Sequence, residues 1–124
     1  MRVYLDANAI IYSIESVPPF RQMVLARIAA AQGPAAGIVL TSRLSRLECR
    51  VKPLRDGNAS LTATYDAYFI QPSVHLIEVS HAVIERATDL RVRYKFKAAD
   101  AIHLATAIEE HADRFLTGDK DLAR

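Results

Sequence analysis

The sequence predicts an α/β domain, a three-layer α/β/α sandwich around a short, mainly parallel central sheet. Three observations predict it. Short apolar runs recur at residues 3–5, 37–41, 75–79 and 114–117. Segments with helical spacing of apolar residues separate them. Every connection between successive runs is long enough for a crossover, which parallel strands require.

The elements follow in order. Residues 3–5 are an apolar strand that stops at Asp6. Residues 7–15 carry Ile10, Ile11 and Ile14 at helical spacing, and Val17-Pro18-Pro19 breaks that helix. A second helix spans 20–32 and ends at Gly33-Pro34. The run 37–41 (Gly-Ile-Val-Leu-Thr) is the second strand. Ser42 caps a helix carrying Leu44, Leu47 and Val51, which decays at Pro53 and Gly57. Asn58 caps the next, through Leu61, Tyr65 and Tyr68, and Pro72 stops it. The third strand is 75–79. Ser80 caps a helix with Val83, Ala87, Leu90 and Tyr94 on one side, and residues 98–111 form another with Ile102, Ala105 and Ile108. The fourth strand, 114–117, leads into Gly118-Asp119.

The chain has 124 residues, enough for one domain (1–124) with a sizeable core. At 51% hydrophobic and 24% charged residues, disorder is excluded as the main state. Cys49 is the one cysteine, so no intrachain disulfide forms, and the residue reads as a small buried hydrophobe. Asp6 and Asn8 interrupt the apolar N-terminal stretch a secretory signal would need, and no window reaches the length of a membrane span. A cytoplasmic location is the expectation.

The net charge is only +2, yet ten of the 16 Lys and Arg residues fall in two stretches, 43–55 and 86–97. Such clustering suits a polyanion as well as two solvated helix faces. Arg43, Arg46 and Arg50 form one stripe of their helix, expected to line a groove and hold the phosphates of such a polyanion.

Topology gathers the acids. Ligands of open parallel sheets bind beyond the carboxyl ends of the strands. Asp6 ends the first strand, and Asp119 lies just past the fourth. Asp100 starts the last full helix, which must run antiparallel to the strand it feeds, so it comes to the same edge. Glu48 sits about two turns into its helix, roughly 9 Å along the axis. Taken singly, each acid has an ordinary role. Asp6 can cap a helix, Asp100 can answer a helix dipole, Gly118-Asp119 can be a turn, and Glu48 can be a surface ion-pair partner. Together they repel by about 4 kcal/mol per pair at ~4 Å and an effective dielectric of ~20. Protons or a cation must relieve that repulsion. Open oxygen donors suit Mg²⁺ or Mn²⁺, held by Asp6, Asp100 and Asp119, with Glu48 acting through a water. Asp121 is a peripheral candidate. His103, three residues after Asp100, reads as a packed or hydrogen-bonded helix residue within reach of the site.

Four motifs also carry a family resemblance. Residues 3–12 (Val-Tyr-Leu-Asp-Ala-Asn-Ala-Ile-Ile-Tyr) resemble the opening of the PIN-domain nucleases. Ser45-Arg46-Leu47-Glu48 resembles their second acidic motif, residues 99–107 (Ala-Asp-Ala-Ile-His-Leu-Ala-Thr-Ala) their third, and residues 115–122 (Phe-Leu-Thr-Gly-Asp-Lys-Asp-Leu) their last. They occur in the family's order, and the third looks most like VapC-type toxins of toxin–antitoxin pairs. The resemblance implies a PIN-like fold and Mg²⁺- or Mn²⁺-dependent cleavage of tRNA or rRNA that leaves a 5′-phosphate. It further implies a homodimer and a cognate antitoxin. It maps Asp6, Glu48, Asp100 and Asp119 onto the acidic positions, and Asn8 and Thr117 onto polar positions that orient ligands or water. Gly118 stands where the family often has Asn, and no strand is expected after Asp119.

Two other classes stay open. A haloacid dehalogenase-like phosphohydrolase is partly mimicked by Asp6-Ala7-Asn8 and by residues 118–121, although Asn8 cannot act as a carboxylic acid. A non-catalytic RNA-binding or regulatory module would keep the basic stretches without the chemistry. No glycine-rich phosphate loop supports a nucleotide-binding reading.

Overall fold

The computed structural model describes residues 1–16, 19–33 and 37–118. Among these, four strands form one sheet: β1 (Arg2–Leu5), β2 (Ile38–Ser42), β3 (Val74–Ile77) and β4 (Arg114–Leu116). Their order is β3-β2-β1-β4, and every neighbouring pair is parallel. Six helices connect them. They are α1 (Ala7–Glu15), α2 (Phe20–Gln32), α3 (Arg43–Arg55), α4 (Ala59–Phe69), α5 (His81–Arg93) and α6 (Ala98–Glu109). The predicted α/β/α class is the observed one.

The side-chain alternation of β1 shows why both sheet faces are covered. Val3 and Leu5 point into a cluster with Ile10, Cys49, Tyr65 and Phe69, on the side of α1, α3 and α4. Tyr4 points the other way, with Leu40 of β2 and Ala107 of α6. A strand buried on both faces reads as a continuous apolar run, as this one does. Helix α5 packs on α6 through Val83, Ala87, Ala101 and Ala105. No helix among the described residues is long and apolar enough to cross a membrane.

Strand order also fixes the place of the site. The chain moves from β1 outward to β2 and β3, then returns past β1 to lay down β4. The direction reverses at β1, so a crevice opens between β1 and β4 beyond their carboxyl ends. The two strands are clamped at their starts by Arg2 N–H to Asp113 Oδ2 (2.8 Å) and Asp113 N–H to the Arg2 carbonyl (2.7 Å). Their ladder then runs Val3↔Arg114, Tyr4↔Phe115 and Leu5↔Leu116.

The predicted caps are present. Ser42, Asn58 and Ser80 each accept a backbone N–H of the first turn of α3, α4 and α5. Some boundaries differ. Helix α3 runs through Pro53 to Arg55, because Pro53 is buried against the core, and the turn follows at Gly57 with φ 68°. Strand β3 stops at Ile77 rather than 79. Helix α5 ends at Arg93, leaving Tyr94 as an exposed cap instead of a core residue. Helix α6 ends at Glu109, and His111 turns into the left-handed region at φ 53°.

Candidate active site

Asp6 is the organising residue. It is 3% exposed and sits where β1 becomes α1. Its backbone N–H extends the ladder to the Leu116 carbonyl (3.2 Å), which fixes the residue at the β1–β4 crevice. Its Oδ1 accepts the Ala9 N–H at 2.8 Å and so caps α1. Its Oδ2 accepts the Thr117 hydroxyl from the end of β4. Capping and site membership are therefore compatible. Each carboxylate oxygen has two acceptor directions, and a single hydrogen bond leaves one for a cation or water.

Glu48 arrives from the other side. Its helix packs on α1 with Cys49 Sγ 3.9 Å from the Ala7 carbonyl, one residue past Asp6. This contact sets Glu48 beside the crevice despite its distance along α3. Its Oε1 lies 2.7 Å from His103 Nε2 of α6. His103 Nδ1 in turn lies 2.6 Å from the Tyr4 hydroxyl of β1. Asp100 stands one turn before His103, in the first turn of α6 and half-buried. Three of the four acids expected to gather are thus carried by elements that meet around β1. Asp119 and Asp121 lie outside the described residues.

The electrostatics agree with this placement. Burial pushes the Tyr4 phenol well above its ordinary range, opposed by a backbone hydrogen bond at Ser42 and helped by the charges of Asp6 and Glu48. Burial likewise pushes the Cys49 thiol up to about 12, with Glu48, Glu15 and Asp6 adding to it. Two buried neutral groups thus lie in the field of the same acids. Thr41 ties β2 to the crevice. Its hydroxyl donates to the Leu5 carbonyl at 2.7 Å and lies 2.7 Å from the Ser45 hydroxyl, which anchors the first turn of α3.

The donor set is all oxygen and suits Mg²⁺ or Mn²⁺. Among the described residues alone, no three of His, Cys, Asp and Glu converge closely enough to hold an ion.

Asn8 is exposed in the first turn of α1. Its Cβ, together with the Tyr12 ring, crowds Gly118 so closely that a methyl group there would overlap both. The absence of an Asn at position 118 follows from this packing, because Tyr12 fills the space a side chain would need.

The arginine stripe is placed elsewhere. Arg43 pairs with Glu78 (2.7 Å), while Arg46 (3.0 Å) and Arg50 (2.7 Å) share Asp66 Oδ1. With Leu47, Val51, Leu54 and Val79 they line a groove of about 600 Å³. Glu48 is two residues from both Arg46 and Arg50, which turns it to another side of α3.

The family model for the PIN domain matches residues 3–124. The chain belongs to the PIN-domain family. Solved structures agree on the fold. VapC20 of Mycobacterium tuberculosis, a sarcin–ricin-loop-cleaving toxin, superposes with a TM-score of 0.76 at 17% identity, over 96% of this chain and 91% of that one. A toxin–antitoxin complex from Klebsiella pneumoniae gives 0.70 at 23% identity, over 98% and 90%. VapBC2 of Rickettsia felis, bound to a promoter DNA fragment, gives 0.70 at 15%, over 96% and 100%. No curated protein sequence matches the chain. In this PIN domain, the link from His103 to Glu48 and Tyr4 has no direct signature in the sequence. The helical spacing of His103 from Asp100 was the one available signal.

Proposed function

We propose that this PIN domain is a divalent-metal-dependent endoribonuclease, the toxin of a toxin–antitoxin pair, acting on tRNA or rRNA. One observation carries the reading. A buried carboxylate, Asp6, is fixed at the switch point of a parallel sheet by Ala9 and Thr117, with Glu48 and Asp100 on the flanking helices. A buried charge is retained where something compensates it. Family membership and the neighbouring toxin structures support the class.

A bound Mg²⁺ or Mn²⁺ would supply the Lewis acidity that makes a water nucleophilic at neutral pH and neutralises a developing phosphate charge. Asp6, Asp100 and Asp119 would hold the ion, with Asp121 as a further candidate ligand. Glu48, with Oε1 taken by His103, keeps Oε2 to orient the attacking water and accept its proton. Thr117 keeps Asp6 in one rotamer. Asn8, exposed in the first turn of α1, would orient ligands or water. The arginine stripe joins this reading as a phosphate surface in which RNA displaces Asp66 and Glu78. A cognate antitoxin, a homodimer and a cytoplasmic setting complete it.

The test is incubation of the purified, partner-free protein with total tRNA and rRNA, in Mg²⁺, Mn²⁺ or excess EDTA, with the fragment ends sequenced. Discrete metal-dependent fragments with 5′-phosphates are expected. A folded protein that binds RNA but cleaves none of it in either metal would instead be a binding module.

A further inference from the structure

His103 lies inside the molecule, with a side chain only 4% exposed, and both ring nitrogens are engaged. Its partners come from two elements distant in sequence, Tyr4 from β1 and Glu48 from α3, while His103 itself stands on α6. Packing alone does not require this. A buried helix residue packed edge-on against the Tyr4 ring, with centroids 5.9 Å apart, could be apolar. Instead the chain places an imidazole there, and that imidazole reaches the half-buried Glu48.

The polarity of the chain follows from the chemistry of its ends. An ionised carboxylate only accepts, so Nε2 carries the hydrogen toward Glu48 Oε1. In a neutral imidazole Nδ1 is then an acceptor, and the Tyr4 hydroxyl donates to it. Tyr4 is fully buried on β1, two residues before Asp6, so the far end of the chain is anchored inside the sheet.

We propose that His103 is a positioning residue for Glu48. Through Tyr4–His103–Glu48, the sheet fixes one carboxylate oxygen and leaves the other for the chemistry. This rests on the nuclease reading above. A glutamate on a helix surface has three free torsions, and only a directional contact restricts it to one orientation. Thr117 gives Asp6 the same service from β4. Each of the two acids thus has its own dedicated donor.

The test combines spectroscopy with kinetics. Long-range ¹H–¹⁵N correlation of the imidazoles in the metal-free protein reads the tautomer of His103 without any substrate. The expected state is Nε2–H with a bare Nδ1, and it should change in Glu48→Gln. RNA cleavage is then compared for the parent, His103→Asn, His103→Gln and Tyr4→Phe, each checked for a parent-like melting transition. Asn can replace only Nδ1, whereas the amide nitrogen of Gln can reach the Nε2 position. His103→Asn should lose roughly ten- to hundredfold in kcat with KM nearly unchanged, the scale of one hydrogen bond to a charged group. His103→Gln should restore most of that loss, and Tyr4→Phe should lose only severalfold.

An Nδ1–H tautomer, or equal losses in folded Asn and Gln variants, would overturn the proposal. Full activity in His103→Asn would do the same. Absence of cleavage by the parent in both metals would sink the nuclease reading itself and the positioning role with it. The tautomer result distinguishes that outcome from a failure of positioning alone.

Discussion

Two regions of this molecule carry concentrated charge and handle it in opposite ways. At the β1–β4 crevice, Asp6 is buried and its hydrogen-bond donors come from the Ala9 backbone and a Thr117 hydroxyl. In the same crevice Glu48 meets the imidazole of His103. On the outer face of α3, Arg43, Arg46 and Arg50 are each answered by a carboxylate, Glu78 or Asp66. The difference separates a site from a balanced surface. Charge held in place by neutral donors remains available to an incoming cation, whereas charge paired with its opposite must first give up a partner.

That contrast can be broken in several places. The largest effect is expected at Asp6. Asn caps a helix as well as Asp does, so Asp6→Asn should keep α1 while removing a metal-binding charge. A cleavage loss of at least roughly hundredfold is expected, measured against an unchanged circular dichroism spectrum. Retained cleavage would remove Asp6 from the site. Next is Gly118. Its missing side chain is filled by Tyr12 and Asn8, so Gly118→Ala should destabilise by about 1–3 kcal/mol through overpacking. The double variant Gly118→Ala/Tyr12→Ala should recover part of that in a denaturant titration.

A smaller effect should come from Cys49. Its thiol is held at about 12 against an ordinary 9.0, chiefly by burial. The folded value is raised, so this contribution is complete below pH 9 and is lost as the pH climbs toward 12. Denaturation midpoints measured along that range should fall less steeply in Cys49→Ala. An equal slope would show that other groups govern the alkaline limit.

The smallest stability effect is expected on α3. Asp66→Asn should leave the melting temperature close to the parent's, because exposed ion pairs contribute little. If the stripe does hold RNA, the freed Arg46 and Arg50 should bind it more tightly. Removing either arginine should then reduce the salt slope of binding by about one. An unchanged slope would confine the stripe to structure.

Much of this was legible in the sequence because it depends on local rules. The burial of β1 on both faces shows as an unbroken apolar run. The caps Ser42, Asn58 and Ser80 stand one residue before their helices. The placement of Asp6 at the carboxyl edge of the sheet, beside the end of β4, follows from parallel strands alone. What escaped depends on contacts between distant elements. Spacing shows that His103 shares a helix face with Asp100, but not that Tyr4 and Glu48 meet it there. Spacing equally shows three arginines in a stripe, but not Asp66 on α4 or Glu78 beyond β3. The helix end at Arg55 was obscured because Pro53 usually breaks a helix, while here its burial late in α3 keeps it inside.

The central claim is that these acids form one metal-dependent hydrolytic site, and Asp100 is its most direct probe. Partner-free parent and Asp100→Asn protein, prepared identically, should be mixed with the same tRNA and rRNA pool in Mg²⁺, Mn²⁺ and EDTA. Discrete fragments are expected from the parent in metal, none in EDTA, and none from the variant. Equal cleavage by the two proteins, or cleavage that persists in EDTA, would contradict that claim.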